Sequence, residues 1–121
     1  MEYIKFVNSG GFLGSTNGIK LYEDGRVSNI IKYLLTKEKE IFYKNIDCLD
    51  FVEKINNMFT KSILDQNFHK VDNMSSTLTY KTDNKIYEWT FPMIKPPDFL
   101  VNILNELDNF SESLINLNDH N

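Results

Sequence analysis

Residues able to carry a reaction are sparse in this sequence, and their spacing limits what they do. There are two histidines and one cysteine. His69 has Asp65 and Asp72 close along the chain. A stable zinc site needs three or four ligands, and no second histidine falls within reach of that segment. His120 stands in a tail, 118–121, that is expected to fray. Both histidines therefore read as solvated side chains, and no metal is expected. Cys48 has no second cysteine for an internal disulfide or a thiolate metal site. It precedes an apolar helical stripe and reads as a half-buried structural thiol. Ser9 precedes two glycines instead of standing between them, so it is not the nucleophile of a G-x-S-x-G elbow. The carboxylates Glu23 and Asp24 fit a turn, and Asp47 and Asp50 fit a helix start. No catalytic residue and no cofactor is expected, and the chain reads as non-enzymatic.

The densest feature is the stretch "NSGGFLGSTNG", residues 8–18. It holds Gly10, Gly11, Gly14 and Gly18, four of the chain's five glycines. A phosphate cradle requires a strand, a glycine turn and then a helix whose N-terminus faces the anion. Here a strand-like run follows, and Gly-Lys-[ST] is missing, which disfavours nucleotide binding. Two readings remain. One is a wide turn or bulge that needs positive φ, with Phe12 or Leu13 tucked into the core. The other is a rigid loop that presents Phe12 and Leu13 to a partner, because glycine permits close backbone approach and an apolar pair can anchor an interface. The candidate partner-binding residues are Ser9, Gly10, Gly11, Phe12, Leu13 and Gly14.

The elements around this stretch follow from hydrophobic period. Residues 2–7 alternate, with Ile4 and Phe6 on one face, and predict a strand. Asp24-Gly25 separates two strand-like runs, Ile19–Tyr22 and Arg26–Leu34, and predicts a hairpin. Residues 36–39 form a polar turn, and 40–46 a further strand. Over 47–64 the apolar positions 51, 52, 55, 58, 59 and 63 follow a 3.6-residue period, which predicts one helix with Asp47 as N-cap and Asp50 favouring the helix dipole. After a loop at 65–73, residues 74–82 and 85–91 predict a second hairpin turning at Asp83-Asn84. All three prolines lie in 92–97 and end the strand, and Pro97 suits a helix start. The stripe 100, 103, 104, 107, 110, 114 and 117 predicts a terminal helix. The expected order is β-β-β-β-α-β-β-α: an α+β fold with a largely antiparallel sheet of about six strands and two helices on one face. One domain is expected over 1–117.

The totals exclude several classes. A chain of 121 residues with 41% hydrophobic and 13% aromatic residues can bury a core without staples. A net charge of −4 and scattered lysines disfavour nucleic acid and anionic membranes. No apolar run approaches the roughly 20 residues that span a bilayer. "MEYIKFV" lacks the regions of a signal peptide. With the lone cysteine, these features point to a reducing, cytoplasmic setting.

Two family resemblances rest on short motifs. Gly10-Gly11-Phe12-Leu13-Gly14, Asp24-Gly25 and Asn73-Met74-Ser75 resemble a group of small bacterial domains, many from Bacteroidota, with a GGGFTG-like segment, a DG turn and an N-M-[SY]-like strand start. This chain lacks the third leading glycine and has Leu13 where that group usually has Thr. Many of those domains look like lipoproteins, and the group implies no biochemical role. Ser9-Gly10-Gly11-Phe12 and Pro96-Pro97…Leu100…Leu104…Leu107 resemble the layout of emfourin-like inhibitors of thermolysin-like metalloproteases. That resemblance implies a rigid segment that occupies a protease cleft without being cut. The reading that follows is a protein-binding domain, with protease inhibition as its sharper form. The alternative is a small-ligand or sensor domain with a pocket between helices and sheet, lined by Trp89, Tyr80 and Phe59.

Overall fold

A computed structural model describes residues 1–10, 15–33, 36–42 and 48–119, with side chains through 114. The elements are β1 (Tyr3–Gly10), β2 (Ser15–Tyr22), β3 (Val27–Lys32), β4 (Lys39–Phe42), α1 (Leu49–Met58), α2 (Lys61–Leu64), β5 (Met74–Lys81), β6 (Ile86–Pro92) and α3 (Val101–Asp119), the last preceded by a 3-10 turn at Asp98–Leu100. The strands form one six-stranded sheet in the order β4-β3-β2-β1-β5-β6. Every named pair is antiparallel. The α+β architecture expected from the sequence is the one found.

Period two places alternate residues of β1 on opposite faces. Ile4 lies opposite Leu21 and Tyr80, and Phe6 opposite Ile19 and Leu78. These residues, with Trp89 and Phe91 of β6, form the sheet side of the core. The helices cover it with Val52 and Ile55 of α1, Phe59, and Leu100, Ile103, Leu104 and Leu107 near and along α3. Burying an aromatic or aliphatic side chain of this size contributes about 1.5–3 kcal/mol. Phe51 and Phe110 stack at 4.2 Å, and Lys54 bonds Glu106 at 2.9 Å, so α1 and α3 are tied by both packing and charge.

Among the described residues, no helix covers the opposite face. Glu38 meets Lys5 at 2.9 Å, and Glu40 accepts from the Tyr22 hydroxyl and lies 3.9 Å from Lys20. Lys20 also sits 4.2 Å from the Tyr3 ring centre. The Tyr22 hydroxyl is held well above its usual pKa by partial burial, then by the Glu40 bond and charge.

Several expected boundaries are corrected. The single helix over 47–64 is two. The backbone leaves the helix at Phe59 and is extended at Thr60 (φ −74, ψ 164), whose hydroxyl accepts from the Ile63 N–H at 3.5 Å. Asn56 and Asn57 are weak helix formers and threonine favours the N-cap, so the break is locally encoded although the apolar stripe runs through it. The N-cap of α1 is Cys48 and makes no side-chain cap bond; Asp47 lies outside the described residues. Cys48 is buried and in no disulfide. β2 begins at Ser15, four residues before the expected Ile19, because the cross-strand register with β1 continues to Gly10. β3 stops at Lys32. β4 spans Lys39–Phe42, and the rest of the strand expected over 40–46 lies outside the described residues. The loop at 65–73 is partly paired: the Lys70 N–H donates to Thr90 O at 2.8 Å, and the Thr90 N–H donates to Phe68 O at 3.2 Å. That contact covers part of the β6 edge.

Candidate functional site

Ser9 and Gly10 are the last two residues of β1, which is flanked by β2 and β5. Ser9 lies opposite Thr16 and Ser75, and Gly10 opposite Ser15 and Met74. Gly10 has φ +109, and a Cβ there would stand 2.0 Å from the Asn73 carbonyl oxygen. No side chain fits, so glycine at this position is demanded by close backbone approach. Gly18 has the same cause without positive φ: its Cβ would stand 2.0 Å from the Phe6 carbonyl oxygen. Two of the clustered glycines therefore serve the β1–β2 and β1–β5 seams. Gly11, Phe12, Leu13 and Gly14 lie outside the described residues.

Around Gly10 the fold gathers side chains that the sequence reading did not select. A hollow of about 140 Å³ is lined by Ser9, Gly10, Ser15, Asn17, Met74 and Met93, among others. The Met93 N–H donates to the Met74 carbonyl at 3.0 Å, which ties the turn after β6 to the start of β5. That turn is closed by Lys95 N–H to Pro92 O at 3.1 Å and lifts Ile94 into solvent. Ile94 is 94% exposed, Met74 52% and Met93 37%. The start of β5 is stiffened by Ser75, whose hydroxyl accepts from the Asp72 N–H and donates to the Asp72 carbonyl, both at 2.8 Å. A usable signal was present: Ile94 and Met93 are apolar residues between Pro92 and Pro96, where no element can bury them.

Among the described residues, those set aside for chemistry are not brought together into a metal-binding group. His69 is exposed and forms a single bridge to Thr90. Among the described residues, no three His, Cys, Asp or Glu side chains lie close enough to share a metal ion. Asp24 accepts from the Arg26 N–H at 3.0 Å and from Arg26 Nε at 2.7 Å, and these bonds, the backbone one foremost, hold its carboxyl below the usual range. It is a turn residue, as expected.

Trp89, Tyr80 and Phe59 do not line a pocket. Phe59 stacks on Tyr80 at 4.1 Å and on Trp89 at 6.0 Å. All three are buried. The Trp89 indole N–H donates to Gln66 O at 2.9 Å, and the Tyr80 hydroxyl donates to Asn56. Their polar atoms are satisfied within the buried core.

No helix among the described residues is long and apolar enough to cross a membrane. No family model matches the chain, and no curated protein matches it.

Proposed function

We propose that this chain is a non-catalytic protein-binding domain whose contact surface is the sheet end around the glycine-rich hairpin. Ser9 and Gly10 form its floor, and Met74, Met93 and Ile94 form its apolar rim. Gly11, Phe12, Leu13 and Gly14 belong to the same candidate surface by sequence. The observation that carries the reading is the exposure of Met74 and Met93 beside Gly10, with Ile94, the residue after Met93, almost fully in solvent. Methionine adapts to irregular surfaces, and exposed apolar clusters on small domains commonly mark contacts. Inhibition of a metalloprotease is the sharper form of this proposal and rests on the sequence resemblance.

The test compares the wild type with Ile94→Asp in affinity capture from a lysate of the source cells, followed by binding of the captured protein in purified form. Ile94 is almost fully exposed, so the variant should fold as the wild type does. A purified partner that binds the wild type and is weakened at least about tenfold by Ile94→Asp supports the surface. Equal binding by both proteins sinks the assignment of this surface. A purified thermolysin-like protease tested directly decides the inhibitor form: it should be inhibited, and the chain should survive uncut.

A further inference from the structure

The helix-facing side of the sheet is apolar over most of its area but turns polar toward the Gly10 end. Asn8 lies opposite both Asn17 and Ser76 on that face. Above them α3 presents Asp108 and Ser111, leaving an open groove of about 360 Å³ whose walls include Phe6, Asn8, Asn17, Ile19, Asp108 and Ser111. A neighbouring hollow of about 180 Å³ shares Phe6, Asn8 and Asp108 as walls and adds Ser76 and Asn105. A groove of this size sits at the low end of small-molecule sites, which run from about 300 to 1,000 Å³.

The donors and acceptors in the groove are directed. The Ser76 hydroxyl donates to Asn8 Oδ1 at 2.5 Å. That bond takes one lone pair of Asn8 Oδ1 and orients the amide, leaving its NH₂ to donate. Asp108 has neither an ion pair nor a hydrogen bond among the described residues. Its carboxyl is held above the usual range, first by partial burial and then by Glu112 one turn away. Among the described residues, no lysine or arginine lines the groove or the hollow.

We propose that this groove binds a neutral, hydroxyl-rich small molecule of monosaccharide size. Phosphates and carboxylates are disfavoured, because they would meet Asp108 and find no cation. An ammonium ligand would satisfy Asp108 but offers only donors, which leaves the Asn8 and Asn17 amide protons without acceptors. A hydroxyl does both: it donates to the carboxylate and accepts from the amides. Phe6 and Ile19 supply apolar surface for the C–H face of such a ring, as mixed sites of this kind require.

The experiment is a titration of the ¹⁵N-labelled chain with single neutral sugars (glucose, galactose, mannose and N-acetylglucosamine), and separately with ethanolamine and inorganic phosphate. At least one sugar should shift the amide signals of Asn8, Asn17 and Asp108 saturably. Asp108→Ala should weaken that sugar at least about tenfold, by loss of a charge-assisted hydrogen bond. Val71→Asp, at an exposed position outside the groove and the hollow, should bind it as the wild type does. Saturable shifts from ethanolamine or phosphate alone would overturn the hydroxyl assignment. Sugar shifts that map elsewhere, or that persist unchanged in Asp108→Ala, would overturn the site. A response to none of the sugars would overturn the proposal as a whole.

Discussion

The two ends of β1 lie in the same sheet, yet they do opposite things. At the Ile4 end, cross-strand neighbours Leu21 and Tyr80 are buried with it under the helices. At the Gly10 end, the same face carries Asn8, Asn17 and Ser76, and the strand ends beside exposed Met74 and Met93. On β1 and β2 the apolar cover stops partway along the strands, whereas Ser76 and its cross-strand neighbour Phe91 stay buried. The open part keeps Asn17, Met74 and Met93 exposed at little expense in stability, because the covered part already holds the strands in register.

Truncation on β2 should separate the two ends most sharply. Leu21→Ala removes a side chain with no exposed surface and should destabilise by about 2–5 kcal/mol, read as a shift in the urea midpoint with unchanged slope. A loss below about 1 kcal/mol would mean the covered end does not dominate.

Gly10→Ala comes next and sharpens the contrast, because it lies at the open end. With φ +109 and the Asn73 carbonyl in the way, alanine should cost about 1–3 kcal/mol through backbone strain. Thermal unfolding that matches the wild type would show that the β1–β5 seam yields at no expense.

Asp108 offers a smaller, pH-dependent effect. Its folded pKa is raised, so the folded chain holds that proton more tightly than the unfolded one. Its favourable contribution is complete below the ordinary carboxylate pKa and is lost as pH rises through the raised value. Asp108→Asn should flatten that decline, by less than about 1 kcal/mol because the side chain is largely solvated. Chemical unfolding of both proteins from acid to neutral pH measures it, and parallel profiles would remove Asp108 as the cause.

Asn17→Ala closes the series. It sits on the same strand and the same face as Leu21 but is exposed, so the expected change is within about 0.5 kcal/mol. A loss as large as that of Leu21→Ala would erase the distinction between the two ends.

Much of this architecture was legible in the residues. Alternation marked β1, β5 and β6, Asp24-Gly25 marked the β2–β3 turn, and the stripe from Leu100 to Leu114 marked α3, because each signal is local and periodic. The break at Phe59–Thr60 was not read, since an apolar stripe continues across a short kink when the next helix keeps the same buried side. The candidate surface was half legible. Ser9 and Gly10 stood out as part of a glycine cluster, whereas Met74, Met93 and Ile94 come from distant segments that meet only through β5 pairing and the turn after β6. The groove was not legible at all: Asn8, Asn17, Ser76 and Asp108 are ordinary polar residues until cross-strand register and helix placement bring them to one wall.

The sequence by itself determined most of the element types, the antiparallel hairpins and the apolar faces of strands and helices, because hydrophobic period and turn chemistry act over a few residues. Only the tertiary structure decided why Gly10 and Gly18 must be glycine, that Trp89, Tyr80 and Phe59 fill space instead of lining it, and where the apolar cover ends. Those outcomes depend on the approach of backbone and side chains far apart in the chain, a distance that no local pattern encodes.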